Sequence, residues 1–163
     1  IFKTIWPNFQ KYFKHFPKFL HYFTIWGLVS HAFLPDSHLF LMIKFQMALQ
    51  IALGGFYITY IHPKYLYIPF CNIIIRHSPL YVMDLLSHYL PLIYYLFCTK
   101  IVYKSSLDFF VGYLPILCYF CLFDIQEMYH FEKRDIFNFV IIAPLVCTFM
   151  GLFFYSKGDG NQN

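Results

Sequence analysis

Apolar residues fall in five long runs separated by short breaks that carry charge or proline. The runs are Phe19–Leu34, bounded by Pro17 and Pro35, then Leu39–Ile61, Pro79–Thr99, Leu107–Leu122 and Ile136–Tyr155. Within each run the apolar positions are continuous rather than alternating. Membrane-barrel strands alternate apolar and polar over about ten residues, which these runs do not. An open sheet cannot cross lipid either, because its edge N–H and C=O groups would go unpaired there. The pattern therefore predicts helices. At about 1.5 Å per residue, about 20 residues cross a hydrocarbon core of about 30 Å. Leu39–Ile61 and Pro79–Thr99 reach that length, whereas Phe19–Leu34 and Leu107–Leu122 fall short of it. The expected fold is all-α: a polytopic transmembrane helical bundle of four or five spans over residues 19–156.

Residues 1–18 differ in pattern. Phe2, Ile5, Trp6, Phe9, Tyr12, Phe13 and Phe16 recur at helical spacing, with Lys3, Lys11, Lys14 and Lys18 between them. Such a basic and aromatic amphipathic segment suits a membrane interface, with rings at headgroup depth and lysines reaching water. Lys3, Trp6, Lys11, Lys14 and Lys18 are the expected interfacial anchors; packing on a protein partner is the alternative. The lysines interrupt any apolar core, so a secretory signal is not expected here. Residues 157–163 form a polar, glycine-containing tail.

Composition strengthens the membrane reading. Hydrophobic residues make up 60% of the 163 and charged residues 12%, against about 45–50% and about 25% in soluble domains. That few charges cannot cover a globule of this size, whereas a lipid-facing surface needs none. Positive charge then orients the chain. With five spans, one side holds Lys3, Lys11, Lys14, Lys18, Lys64, Arg76, Lys133 and Arg134, and the other Lys100, Lys104 and Lys157. The N-terminus is expected on the cytoplasmic side or its equivalent. With four spans the bias weakens but keeps its direction.

Polar residues inside a membrane are costly, so each needs an account. Asp84 and His88 are four apart and share a helix face. Gln50 lies at a depth similar to His88 on the preceding, antiparallel run, which makes a Gln50–His88 hydrogen bond plausible. Pro91 removes the donor that the Ser87 carbonyl would use, so a kink is expected beside His88. Lys44 and Asp84 fall near opposite faces of the membrane and are not expected to pair. The trio Asp84, His88 and Gln50 reads either as interhelical polar glue or as a proton or substrate path; glue is favoured, because no nucleophile or metal cluster accompanies it. Cys98 and Ser87 are the nearest nucleophiles in sequence, and neither has a partner. Gly54 and Gly55 mark a close helix seam.

The pair Cys118 and Cys121 has redox or zinc spacing but sits in an apolar run without a second pair, so no metal site is expected. The five cysteines, odd in number and mostly within apolar runs, do not suggest a disulfide framework. No phosphate-binding, dinucleotide-binding or nucleophile-elbow motif occurs, and the few basic residues cluster at membrane boundaries rather than forming a nucleic-acid surface. The chain is expected not to be an enzyme and to need no cofactor. The mixed-charge segment Asp124–Asp135 reads as a solvated connector or a docking surface for a partner, the connector being favoured, and His62–Ser78 as a loop lying on the membrane surface.

The stretches GGFYITYIHPKY (Gly54–Tyr65) and DLLSHYLP (Asp84–Pro91), with the bias toward Phe, Tyr, Ile and Lys, resemble small multi-span membrane proteins of giant DNA viruses. That resemblance implies a structural protein of a virion internal membrane, a minor capsid-associated component contacting lipid and other proteins of the assembly. The composition is similar as well to membrane subunits of organellar respiratory complexes, which implies the mitochondrial inner membrane instead. A small transporter or channel built on Asp84, His88 and Gln50 is the third expectation.

Overall fold

The computed structural model describes residues 22–61, 67–68, 73–74, 80–99, 101–124, 126, 129, 131–137, 141, 142, 145, 146 and 149. The architecture is helical. Helix α1 covers Phe23–Phe33. Helix α2 covers His38–Phe56 and runs on as a π-helical turn, Tyr57–Ile61. Helix α3 covers Leu80–Cys98, and α4 covers Ser106–Leu122. Residues 133–137 are helical, as are the described positions from 141 to 149. Two short strands, β1 (Tyr67–Ile68) and β2 (Ile73–Ile74), pair antiparallel with Tyr67 opposite Ile74. The interfacial segment 1–18 with Lys3, Trp6, Lys11, Lys14 and Lys18, and the tail 157–163, lie outside the described residues.

Helix α2 is the hub. It packs on α1, α3 and α4, and from Lys44 to Ala52 every residue is buried. A helix that is apolar all round belongs in the interior of a large fold or in a membrane. Among the described residues, His38–Ile61 is the one helix long and apolar enough to cross a membrane. The start of α2 meets the start of α4, where His38 Nε2 lies 3.0 Å from Asp108 Oδ2. Asp108 also accepts the backbone N–H groups of Lys104 and Ser105 at 2.7 and 3.3 Å, placing a carboxylate in the first turn of α4, where the helix dipole favours it. Helices α1 and α3 run antiparallel to α2: Gly27 faces Ile51 and Gly55 faces His88, while Phe45, earlier in α2, faces Tyr95, later in α3.

Each of the three seams with α2 closes on a glycine. A Cβ at Gly27 would strike the tip of Ile51, one at Gly55 the His88 ring, and one at Gly112 the stem of Gln46. Small residues let helix backbones approach and gain dispersion contact. Aromatic rings close one end of the bundle. Trp26 stands 5.6 Å from Tyr119 and 5.5 Å from Phe123, both edge-on, an arrangement favoured by the ring quadrupoles. Two apolar clusters make the core, one around Met47, Leu49, Ile51, Tyr113, Ile116 and Tyr119, the other around Met42, Phe45, Ala48, Tyr95, Ile101 and Tyr103.

The outer surface is apolar too. On α3, Val82, Met83, Leu86, Leu90, Ile93, Tyr94 and Phe97 are exposed; on α4, Leu107, Phe110, Leu114, Leu117 and Leu122. From Val82 to Phe97 the exposed stripe is about 22 Å long at the helical rise.

The segment 124–135 departs from the solvated connector expected of it. Asp135 is 4% exposed and accepts a hydrogen bond from the Tyr57 hydroxyl at 2.7 Å. Phe131 is buried, and the Tyr129 hydroxyl accepts the Phe23 backbone N–H at 3.2 Å. Among its described residues Asp124, Gln126, Glu132, Lys133 and Arg134 are exposed. The alternation of aromatic and charged positions there lets one side seal the base of the bundle while the other meets solvent.

Candidate buried polar site

The polar residues point inward. Lys44 has a side chain only 4% exposed, and its Nζ reaches Asp36 Oδ1 at 2.7 Å, a carboxylate 88% exposed in the turn before α2. The partner is thus Asp36 and not Asp84, in line with the depth argument from the sequence. Gln46, fully buried, donates from Nε2 to the Tyr103 hydroxyl at 2.6 Å. His31 bonds back to the Gly27 carbonyl and tilts against Tyr95, with ring centres 5.2 Å apart.

Of the three residues singled out in the sequence, His88 and Asp84 do share a helix face. His88 Nδ1 lies 2.7 Å from the backbone carbonyl of Asp84 and 3.7 Å from its Oδ1. A carbonyl only accepts, so Nδ1 carries the proton. Nε2 is then the acceptor, and it takes a hydrogen bond from Thr24 Oγ1 on α1 at 3.3 Å. The expected Gln50–His88 bond does not form. The ring packs against Gly55 and is held at both nitrogens, so neither is left for Gln50. Pro91 lies inside a helix that continues unbroken to Cys98.

Gln50 and His88 nevertheless border the same space, a cavity of about 50 Å³ that Thr24, Gly54, Gly55 and Tyr119 also line. Gln50 is 1% exposed, and no protein group lies within hydrogen-bond reach of its Oε1 or Nε2. Among the described residues no Lys, Arg, Asp or Glu lines the cavity, and His88 is the one imidazole that does. Tyr129 closes it from the segment beyond α4, and burial pushes that phenol well above its ordinary range.

Thr24 is the member that sequence reasoning missed. Its signal was its place three residues before Gly27, on the face where α1 meets α2. Cys98, Cys118 and Cys121 are free and exposed on the outer faces. Among the described residues no group of His, Cys, Asp and Glu is arranged to hold a metal ion. No family model, no curated protein and no solved structure matches the chain.

Proposed function

We propose that this chain is a multi-span integral membrane protein, a structural helical component of a larger membrane assembly. The observation that carries the reading is the inversion of polarity. Lys44, Gln46, Gln50 and Asp108 are buried, whereas Leu90, Phe97, Phe110 and Leu122 are exposed. Monomeric soluble proteins rarely present contiguous apolar patches beyond a few hundred Å²; in lipid the same surface is at no disadvantage. In this reading α2, α3, α4 and the helical positions from 133 to 149 are the four spans, with α1 as a short fifth. What supports a structural role is how the polar groups are used. Thr24–His88, Gln46–Tyr103, His38–Asp108 and Tyr57–Asp135 each tie two parts of the bundle together. Whether the assembly is a virion membrane or an organellar complex is a question of partners.

The test is Leu90→Lys, at the middle of α3 and 56% exposed. Facing lipid, the change costs about 3–4 kcal/mol of insertion free energy on the translocon scale. Facing water, it costs no more than about 0.5 kcal/mol. A glycosylation-tagged reporter in microsomes reads the difference, and unchanged insertion with a water-extractable protein would sink the membrane reading. Co-migration with partners in mild detergent is expected; a stable, partnerless monomer would count against the structural role. A small conducting element is a second reading, favoured by the cavity beside His88. A proton flux in liposomes that survives His88→Ala removes it.

A further inference from the structure

We infer that the cavity between α1, α2, α3 and α4 is an internal hydration site, in which a small cluster of ordered water binds the Gln50 carboxamide and bridges it to the Thr24–His88 pair. Three observations meet at this place. Gln50 is 1% exposed, and neither Oε1 nor Nε2 has a protein partner. A primary amide offers two donor hydrogens and two acceptor lone pairs, and buried polar groups of this kind are almost always satisfied by protein or by ordered water. The cavity it borders has about 50 Å³. A water needs about 10–15 Å³ of such space, so the cavity holds on the order of three.

The second observation is that the protein cannot supply the missing bonds itself. Most of the wall is apolar, including Phe23, Ile51, Ile58 and Ile116. Two polar groups of the lining, Thr24 Oγ1 and His88 Nε2, are already committed to each other at 3.3 Å. Thr24 still has lone pairs to offer, so a water donating to Oγ1 and accepting from Gln50 Nε2 completes a bridge without breaking the Thr24–His88 bond. The third is the charge of the lining. Among the described residues it holds no carboxylate, lysine or arginine, so these groups suit a neutral hydrogen-bonding ligand and offer no counter-charge to an ion. The adjacent glycines Gly54 and Gly55 both border the space. The inference concerns the protein interior and stands whether lipid or water surrounds the bundle.

Gln46 supplies an internal control, four residues earlier on α2, equally buried, with its Nε2 bonded to Tyr103. The experiment is water-edited solid-state NMR on the full chain in liposomes, with glutamine side chains labelled with nitrogen-15. Polarisation is passed from water protons, and the growth of each side-chain amide signal is followed with mixing time. The Gln50 signal is identified by its loss in Gln50→Leu and the Gln46 signal by its loss in Gln46→Leu, which separates both from Gln10, Gln126 and Gln162. The Gln50 amide is expected to gain intensity several-fold faster than the Gln46 amide. Equal build-up at the two amides, or slower growth at Gln50, would overturn the hydration site and would leave the membrane reading untouched, because that rests on the outer surface.

Discussion

The Gly55→Ala substitution tests the seam between α2 and α3. A Cβ at this position would lie 2.7, 2.8 and 2.9 Å from Cδ2, Cγ and Cβ of His88. Ordinary contact begins at 3.4 Å, so the shortfall against the nearest atom is 3.4 − 2.7 = 0.7 Å. The ring cannot swing away freely, because Nδ1 is tied to the Asp84 carbonyl and Nε2 to Thr24. Its Cβ moves only with the α3 backbone. Overpacking of this kind costs about 1–3 kcal/mol. Alanine returns about 0.8–1 kcal/mol of helix propensity relative to glycine. The net expectation is a loss of up to about 2 kcal/mol, a factor of up to about 30 in the folded-to-unfolded ratio. Gly27→Ala is the matched control. There the obstacle is the tip of the flexible Ile51 side chain, which turns aside, so the net change should stay within about 0.5 kcal/mol of zero or be slightly favourable. Equilibrium unfolding in detergent, followed by far-UV circular dichroism and by Trp26 fluorescence, measures both. If Gly55→Ala matches Gly27→Ala, or exceeds the wild type in stability, the close-approach argument fails.

Two further substitutions probe the buried polar bonds. Tyr103→Phe strips the acceptor from Gln46 Nε2, and Gln46 Oε1 is already without a partner. A fully buried amide left unsatisfied costs about 1–3 kcal/mol, whereas Gln46→Leu removes the polar group altogether and should cost less. Unfolding midpoints in that order support the account; the reverse order contradicts it. Asp36→Asn leaves the Lys44 ammonium without its carboxylate, whereas Lys44→Met removes the charge and keeps the stem. Because Asp36 is mostly exposed, the loss on Asp36→Asn should be about 1 kcal/mol or less. In Lys44→Met the same Asp36 change should have no effect, and a double-mutant cycle that finds no coupling would show the pair to be inert.

Helix positions were legible because the apolar runs are sharply bounded. Leu39–Ile61 became His38–Ile61, Pro79–Thr99 became Leu80–Cys98, and Leu107–Leu122 became Ser106–Leu122. Phe19–Leu34 is described as helix over Phe23–Phe33. Helix faces were harder to read. A helix as evenly apolar as α2 has no stripe to say which neighbour meets which side, so the seams at Gly27 and Gly112 were not visible in advance. The sequence suggested a Gln50–His88 bond; the two border one cavity, but that bond does not form. The depth argument could not see that Thr24, from a third helix, would take the free nitrogen of His88. Asp135 was missed for a related reason: a carboxylate in a charged stretch gives no sign that one tyrosine hydroxyl, 78 residues away, draws it inward.

The hub position of α2 bears on how the chain is made. Its neighbours α1, α3 and α4 each lean on it, and Lys44, Gln46 and Gln50 are covered only when they do. A ribosome that has emitted α2 has released a segment whose sides carry an ammonium and two amides, with α3 and α4 still untranslated. On the proposed membrane reading those groups wait, in the protein-conducting channel or at the headgroup boundary, until Tyr103 and Gly112 arrive. Formation of this bundle is therefore expected to be a late, concerted closure around α2.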